Sequence, residues 1–116
     1  MILVDANLLL YAANRDATEH ASARSWLDER LNGTARVGLP WPQVQDWLAC
    51  DAAWIPLPGA RHAEVLSQLL EHRVVTSRLV PDAHLAALAI EHGLTLCSTD
   101  GDFAKFPDLK WVNPLL

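Results

Sequence analysis

Basic side chains are scarce in this 116-residue chain: nine Lys and Arg stand against fourteen Asp and Glu, for a formal net charge of −5. That balance excludes a general nucleic-acid coat protein, which carries a basic face. It leaves room for a metal-dependent nuclease, whose surplus carboxylates gather in one cluster that cations neutralise. Cysteine is equally sparse. Cys50 and Cys97 are too few for a disulfide scaffold and lack C-x-x-C or Cys/His zinc spacing, so both are expected as reduced core thiols. No apolar run is long enough to span a membrane. The opening MILVDANLLLYA has no basic flank and is interrupted by Asp5 and Asn7, which argues against a signal peptide and gives the expectation of a cytoplasmic protein. P-loop, GxGxxG and HExxH patterns are absent, as are serine or cysteine nucleophile arrangements, repeats and low-complexity tracts.

What is present is an apolar composition, 51% hydrophobic, in a length that suits one domain over residues 1–116. Ile2–Val4 reads as a buried strand ending at Asp5, followed by a short helix over Ala6–Ala13. Asp16–Thr18 offers N-cap chemistry for a second helix with Ala23, Trp26, Leu27 and Leu31 on one face, ending at Asn32-Gly33. Strands are expected at Arg36–Leu39, Ala52–Leu57 and Leu94–Ser98, with an edge strand at Lys110–Val112. Helices are expected at Pro42–Ala49, at Arg61–His72 and at Asp82–His92, the last apolar on most sides and closed by Gly93. Strands alternating with helices predict an α/β fold of three layers: a mostly parallel sheet covered on both faces.

In open α/β sheets, ligands bind beyond the carboxyl ends of the strands. Asp5 ends the first strand, and Asp100 and Asp102 follow the fourth. Asp82 starts the helix before that strand, and a right-handed crossover carries this helix start toward the same edge. Like charges 4 Å apart repel by roughly 4 kcal/mol at an effective dielectric of 20. A hard cation offsets that repulsion, and oxygen-only ligands suit Mg²⁺ or Mn²⁺. Each residue also has a plain structural reading. Asp82 is placed to act as an N-cap, Asp100 and Asp102 as turn residues, and Asp102 as a cap for Phe103–Phe106. Asp5 fits a structural reading least, because a carboxylate between Ile-Leu-Val and Ala-Asn-Leu-Leu-Leu needs a partner.

Three blocks, MILVDANLLLYA (1–12), DAHLAALAIEHG (82–93) and STDGDFAKFPDLKWVNPL (98–115), resemble in order the signature blocks of PIN-domain toxins of the VapC family. The resemblance implies a parallel sheet flanked by helices and a Mg²⁺- or Mn²⁺-dependent endoribonuclease that uses a metal-activated water. It also implies a VapB-type antitoxin that enters the active-site groove, and a homodimer. Carried over by position, Asp5, Asp82 and Asp100 match catalytic metal-binding aspartates, Asp102 completes the last acidic pair, and Asn7 and Thr99 match supporting polar positions. The family's helical pair after the second strand carries a further Glu. Here the segment between Leu39 and Ala52 is too short for that pair, and Gln43–Leu57 resembles the family's later helix and third strand. Asp46 is a poor substitute, lying about 200° around a helix from the inward Val44. Pro81 also departs, standing where the family often has a small polar residue.

Arg15, Arg73, Arg78 and Lys105 flank the acidic blocks and are candidates for RNA phosphate contacts. The five tryptophans lie one per element and read as core or interface, and His84 reads as a helix-surface or partly buried residue. The primary reading is the endoribonuclease toxin. The alternative is a trimmed PIN domain, weak or inactive in cutting, that binds an antitoxin or other partner. A phosphoacceptor receiver domain is disfavoured because the third strand ends in Ile55-Pro56-Leu57 and not in an aspartate.

Overall fold

The computed structural model describes residues 1–39, 52–72 and 75–116. The expected helix at Pro42–Ala49, together with Trp41, Asp46, Trp47, Cys50 and Arg73, lies outside the described residues. The strands are β1 (Ile2–Val4), β2 (Val37–Gly38), β3 (Ala53–Trp54), β4 (Thr95–Cys97) and β5 (Trp111–Val112). The helices are α1 (Ala6–Ala13), α2 (His20–Leu31), α3 (His62–Leu70) and α4 (Val80–His92), with 3₁₀ turns at Ser77–Leu79 and Gly101–Lys105. The sheet runs in the order β3-β2-β1-β4-β5, and every pairing is parallel. The α/β expectation is met.

Successive strand residues point to opposite faces, and each face has its own core. Leu3 and Leu96, both fully buried, pack with α3, α4, Phe103 and Phe106. Val4 and Cys97 pack on the other face with Leu8 and Leu9 of α1 and Leu27 and Leu31 of α2. Cys97 is a buried free thiol, as its setting suggested, and burial pushes it up to about 11. Among the described residues, no helix is long and apolar enough to cross a membrane.

Local chemistry sets the helix ends. Asp5 caps α1, its carboxylate accepting from the Ala6 N–H. α4 begins with Pro81 in its first turn, is rich in buried alanine, and stops at Gly93, whose φ of 67° is left-handed. Three expectations are corrected here. The residue preceding α2 is Glu19, with no side-chain cap, because the chain turns through 15–19 before the helix forms. Asp82 does not cap α4: Leu79 holds that position and Asp82 lies inside the first turn. The third strand is also shorter than the apolar pattern implied, since Pro56 has no N–H to continue a ladder.

Candidate functional site

After β1 the chain builds β2 and β3 on one side, then crosses to β4 on the other, so the strand order reverses between β1 and β4. A crevice forms where such a reversal separates two carboxyl ends. Asp5 leaves the end of β1, and the segment Ser98–Asp102 leaves the end of β4. α4 runs antiparallel to the β4 it feeds, which puts its first turn, and Asp82, at the same edge of the sheet. Asp82, Asp100 and Asp102 each offer a carboxylate oxygen, all within 4.8 Å of one another. Asp5 stands beside this triplet, outside that radius.

Ser98 organises the crevice. It is fully buried, and its Oγ donates to Asp5 Oδ2 at 2.8 Å. The same oxygen accepts from Asn7 Nδ2 at 3.1 Å and from the Asp100 N–H at 3.0 Å. One hydroxyl thus ties the end of β1, the first turn of α1 and the acidic turn after β4. Because its proton goes to Asp5, Asn7 must present its amide NH₂ to Ser98. That leaves Asn7 Oδ1 buried without a partner among the described residues. Asp100 in turn caps the 3₁₀ turn, accepting from the Asp102 N–H at 2.9 Å, so the cap expected of Asp102 belongs to Asp100.

The charges divide into two groups. Burial pushes the Asp5 carboxyl up, and the Asp100 charge adds to this, while the bonds from Ser98 and Ala6 pull it down. Burial also raises Asp82, with Asp100, Asp5 and Asp102 all contributing and Arg78 opposing. Asp102 is held low by Arg78 Nη1 at 2.9 Å and Lys105 Nζ at 3.1 Å. Repulsion therefore remains among Asp5, Asp82 and Asp100, and cations already relieve it at Asp102. The donors are hard carboxylate oxygens with an orphaned amide oxygen alongside, a set that fits a small divalent cation.

The other expected site residues are placed less centrally. Thr99 is half-buried and makes no side-chain hydrogen bond among the described residues. Arg15 is exposed just beyond α1, about 12 Å of helix away from Asp5. Sequence reasoning singled out Thr99 and passed over Ser98. The available signal was a hydroxyl ending an apolar strand directly before an acidic turn, a position where a buried polar group must find partners.

A family model described as PIN domain matches residues 42–109. Ribonuclease VapC37 of Mycobacterium tuberculosis is 37% identical, over 98% of this chain and 97% of the relative. Ribonuclease VapC33 of the same organism is 33% identical, over 99% of each. The alignment with the former spans 140 positions against 116 residues in this chain, so roughly two dozen positions of the relative have no counterpart here. A solved structure, of VapBC2 from Rickettsia felis bound to a DNA fragment from their promoter, superposes with a TM-score of 0.65 at 16% identity. It covers 97% of this chain and 98% of that one, a likeness of fold.

Proposed function

The chain belongs to the PIN-domain family of VapC ribonucleases, and from that premise we propose that it is a metal-dependent endoribonuclease, the toxin of a VapBC-type pair. The observation that carries this reading is the convergence of Asp82, Asp100 and Asp102 oxygens within 4.8 Å, with Asp5 beside them, at the β1–β4 reversal. Asp5, Asp82 and Asp100 would hold Mg²⁺ or Mn²⁺, with Asp102 in support. Such an ion activates a water and neutralises charge developing on a phosphodiester.

The protein's own residues prepare that site. Ser98 and the Ala6 N–H fix both oxygens of Asp5, so its carboxylate is oriented before any ligand arrives. Asn7 Oδ1 supplies a neutral acceptor for a water proton. Arg78 and Lys105 keep Asp102 ionised, and their exposed stems let them turn toward an RNA phosphate. A VapB-type antitoxin is the expected partner, and a homodimer the expected assembly. The exposed Leu10, Leu57 and Val112 supply apolar surface for such contacts.

A second reading is a trimmed domain that binds its partner and cuts weakly. The two dozen positions that Ribonuclease VapC37 has and this chain lacks favour it. Induced expression separates the two. The toxin reading expects growth arrest with RNA breakdown, abolished in Asp5→Asn. Full growth with intact RNA and retained antitoxin binding would support the second.

A further inference from the structure

Next to the acidic crevice lies an open groove of about 420 Å³ that the proposed reaction does not yet use. One wall is a single face of α4, where Pro81, His84, Leu85 and Leu88 recur at helical spacing. The 56–58 segment after β3 forms the other wall, and His62 at the start of α3 closes it. Among the described residues, no carboxylate lines it. The rings of His62 and His84 are stacked, with centroids 5.9 Å apart and planes 21° from parallel. His84 is exposed, so the outer face of the pair is open to solvent. His62 Nδ1 is buried and has no hydrogen-bond partner among the described residues.

We propose that this groove seats a nucleobase of the RNA strand whose backbone crosses the acidic crevice, with the base stacked on His84. The inference rests on the nuclease reading and names a determinant of substrate choice within it. Two features point to a base. The first is position: Pro81 lines the groove and the next residue, Asp82, belongs to the crevice. Asp82 sits about a quarter turn around α4 from the groove face and only one to two residues along it. A strand with a phosphate at Asp82 therefore has a base within reach of His84. The second is chemistry, because imidazole is one of the aromatic platforms on which unstacked RNA bases settle. The backing His62 ring fixes that platform. Prolines and leucines give apolar walls against which the ring of a base packs, while its polar edge stays toward solvent at the open groove. The gap between the two rings is too narrow for a base to enter, so stacking extends the pair on its outer face.

The test is NMR of the imidazole ring carbons and their protons during titration with a single-stranded RNA tetranucleotide in EDTA, where no cleavage complicates binding. The His84 resonances should shift with the intact oligonucleotide, and move far less with one that carries an abasic ribose in place of the base. His84→Ala should weaken binding about 5- to 10-fold, the lower end of base–aromatic stacking. His84→Phe should restore it. In the metal-loaded protein, His84→Ala should change which bonds are cut and leave the metal-induced rise in melting temperature intact. Unperturbed His62 and His84 rings at saturating RNA would overturn the proposal. So would equal shifts with the abasic strand, or shifts seen only with an apolar peptide. Cleavage by His84→Ala at the same sites and rate as the parent would also overturn it, and would leave the nuclease reading standing. Loss of all cleavage in the parent protein would instead strike that reading, while the ring shifts would still decide the groove.

Discussion

Ser98 Oγ donates a 2.8 Å hydrogen bond to Asp5 Oδ2, joining the carboxyl ends of two neighbouring parallel strands through a fully buried hydroxyl. Ser98→Ala removes this donor and also strands Asn7 Nδ2 and the Asp100 N–H. A buried group left unsatisfied costs ~1–3 kcal/mol, so the variant should lose stability by about that amount and unfold at a lower denaturant concentration. The Ser98 bond pulls the Asp5 carboxyl down, so its loss should raise Asp5 further. Carboxyl NMR titration reads that directly. Ser98→Thr keeps the hydroxyl and should retain most of the Asp5 behaviour. An unchanged Asp5 titration in Ser98→Ala would remove Ser98 from the centre of the site.

Stability should depend on pH in a way that separates the two charge groups. Asp5 and Asp82 have folded-state values raised above the ordinary 3.8. Between 3.8 and those raised values the native protein holds more protons than the unfolded chain, so without metal their contribution falls as pH rises through that window. Asp102 runs the other way. Its folded value is lowered, so its contribution is present above 3.8 and is lost as pH falls through the folded value. Asp5→Asn should flatten the decline seen on raising pH. Added Mn²⁺ should reverse it in the parent, by about 2.7 kcal/mol at a hundred times the dissociation constant, and fade in acid as protons compete. Thermal denaturation across pH 3–8, with and without Mn²⁺, measures each part.

Far from the acidic cluster, Glu91 holds the entry to α3. Its carboxylate accepts from the Gly59 N–H at 2.8 Å and the Arg61 N–H at 3.0 Å, and both bonds keep it ionised below the usual range. A Cβ at Gly59 would come within 2.7 Å of Glu91 Oε2. Gly59→Ala must therefore displace the Glu91 side chain, and Glu91→Gln must weaken both bonds. Either change should speed hydrogen exchange at Gly59 and Arg61 and leave the β1 amides protected. Equal protection in both variants would show that the loop holds without Glu91.

Metal preference follows from the proposed absence of the family's further Glu. Fewer ligands hold a second ion less well, and Mg²⁺ demands stricter octahedral geometry than a larger, more tolerant cation. Cleavage should therefore be slow, with Mn²⁺ supporting a rate several-fold above Mg²⁺. A metal titration with a count of bound ions checks this. Two tightly held ions with brisk Mg²⁺-dependent cutting would contradict it.

Much of this was legible in the residues. Ile2–Val4, Ala6–Ala13 and Asp82–His92 announced their elements through largely apolar runs and clear stops, and the parallel sheet followed from their alternation. The carboxylates were visible as charges at strand ends, where an apolar run stops on an acid. Their bonding was not. Which aspartate caps the turn after β4, and that Arg78 and Lys105 are already engaged with Asp102, depend on side-chain directions that spacing alone does not fix. Ser98 was hidden for the same reason: a serine just past a strand acquires its role only when β1 lies alongside. The histidine pair joins residues 62 and 84 from different helices and has no local signature at all.

The central claim is that the carboxylates gathered between β1 and β4 hold a divalent cation that cuts RNA. The most direct measurement is the cleavage rate of total RNA against Mn²⁺ concentration, for the parent protein and for Asp5→Asn of matched circular dichroism. The account predicts cleavage that rises to saturation with Mn²⁺, disappears in EDTA, and is at least about a hundredfold slower in Asp5→Asn, of the order seen when a charge-stabilising group is lost from an active site. Cleavage that persists in EDTA, or runs at the parent rate in Asp5→Asn, would contradict it.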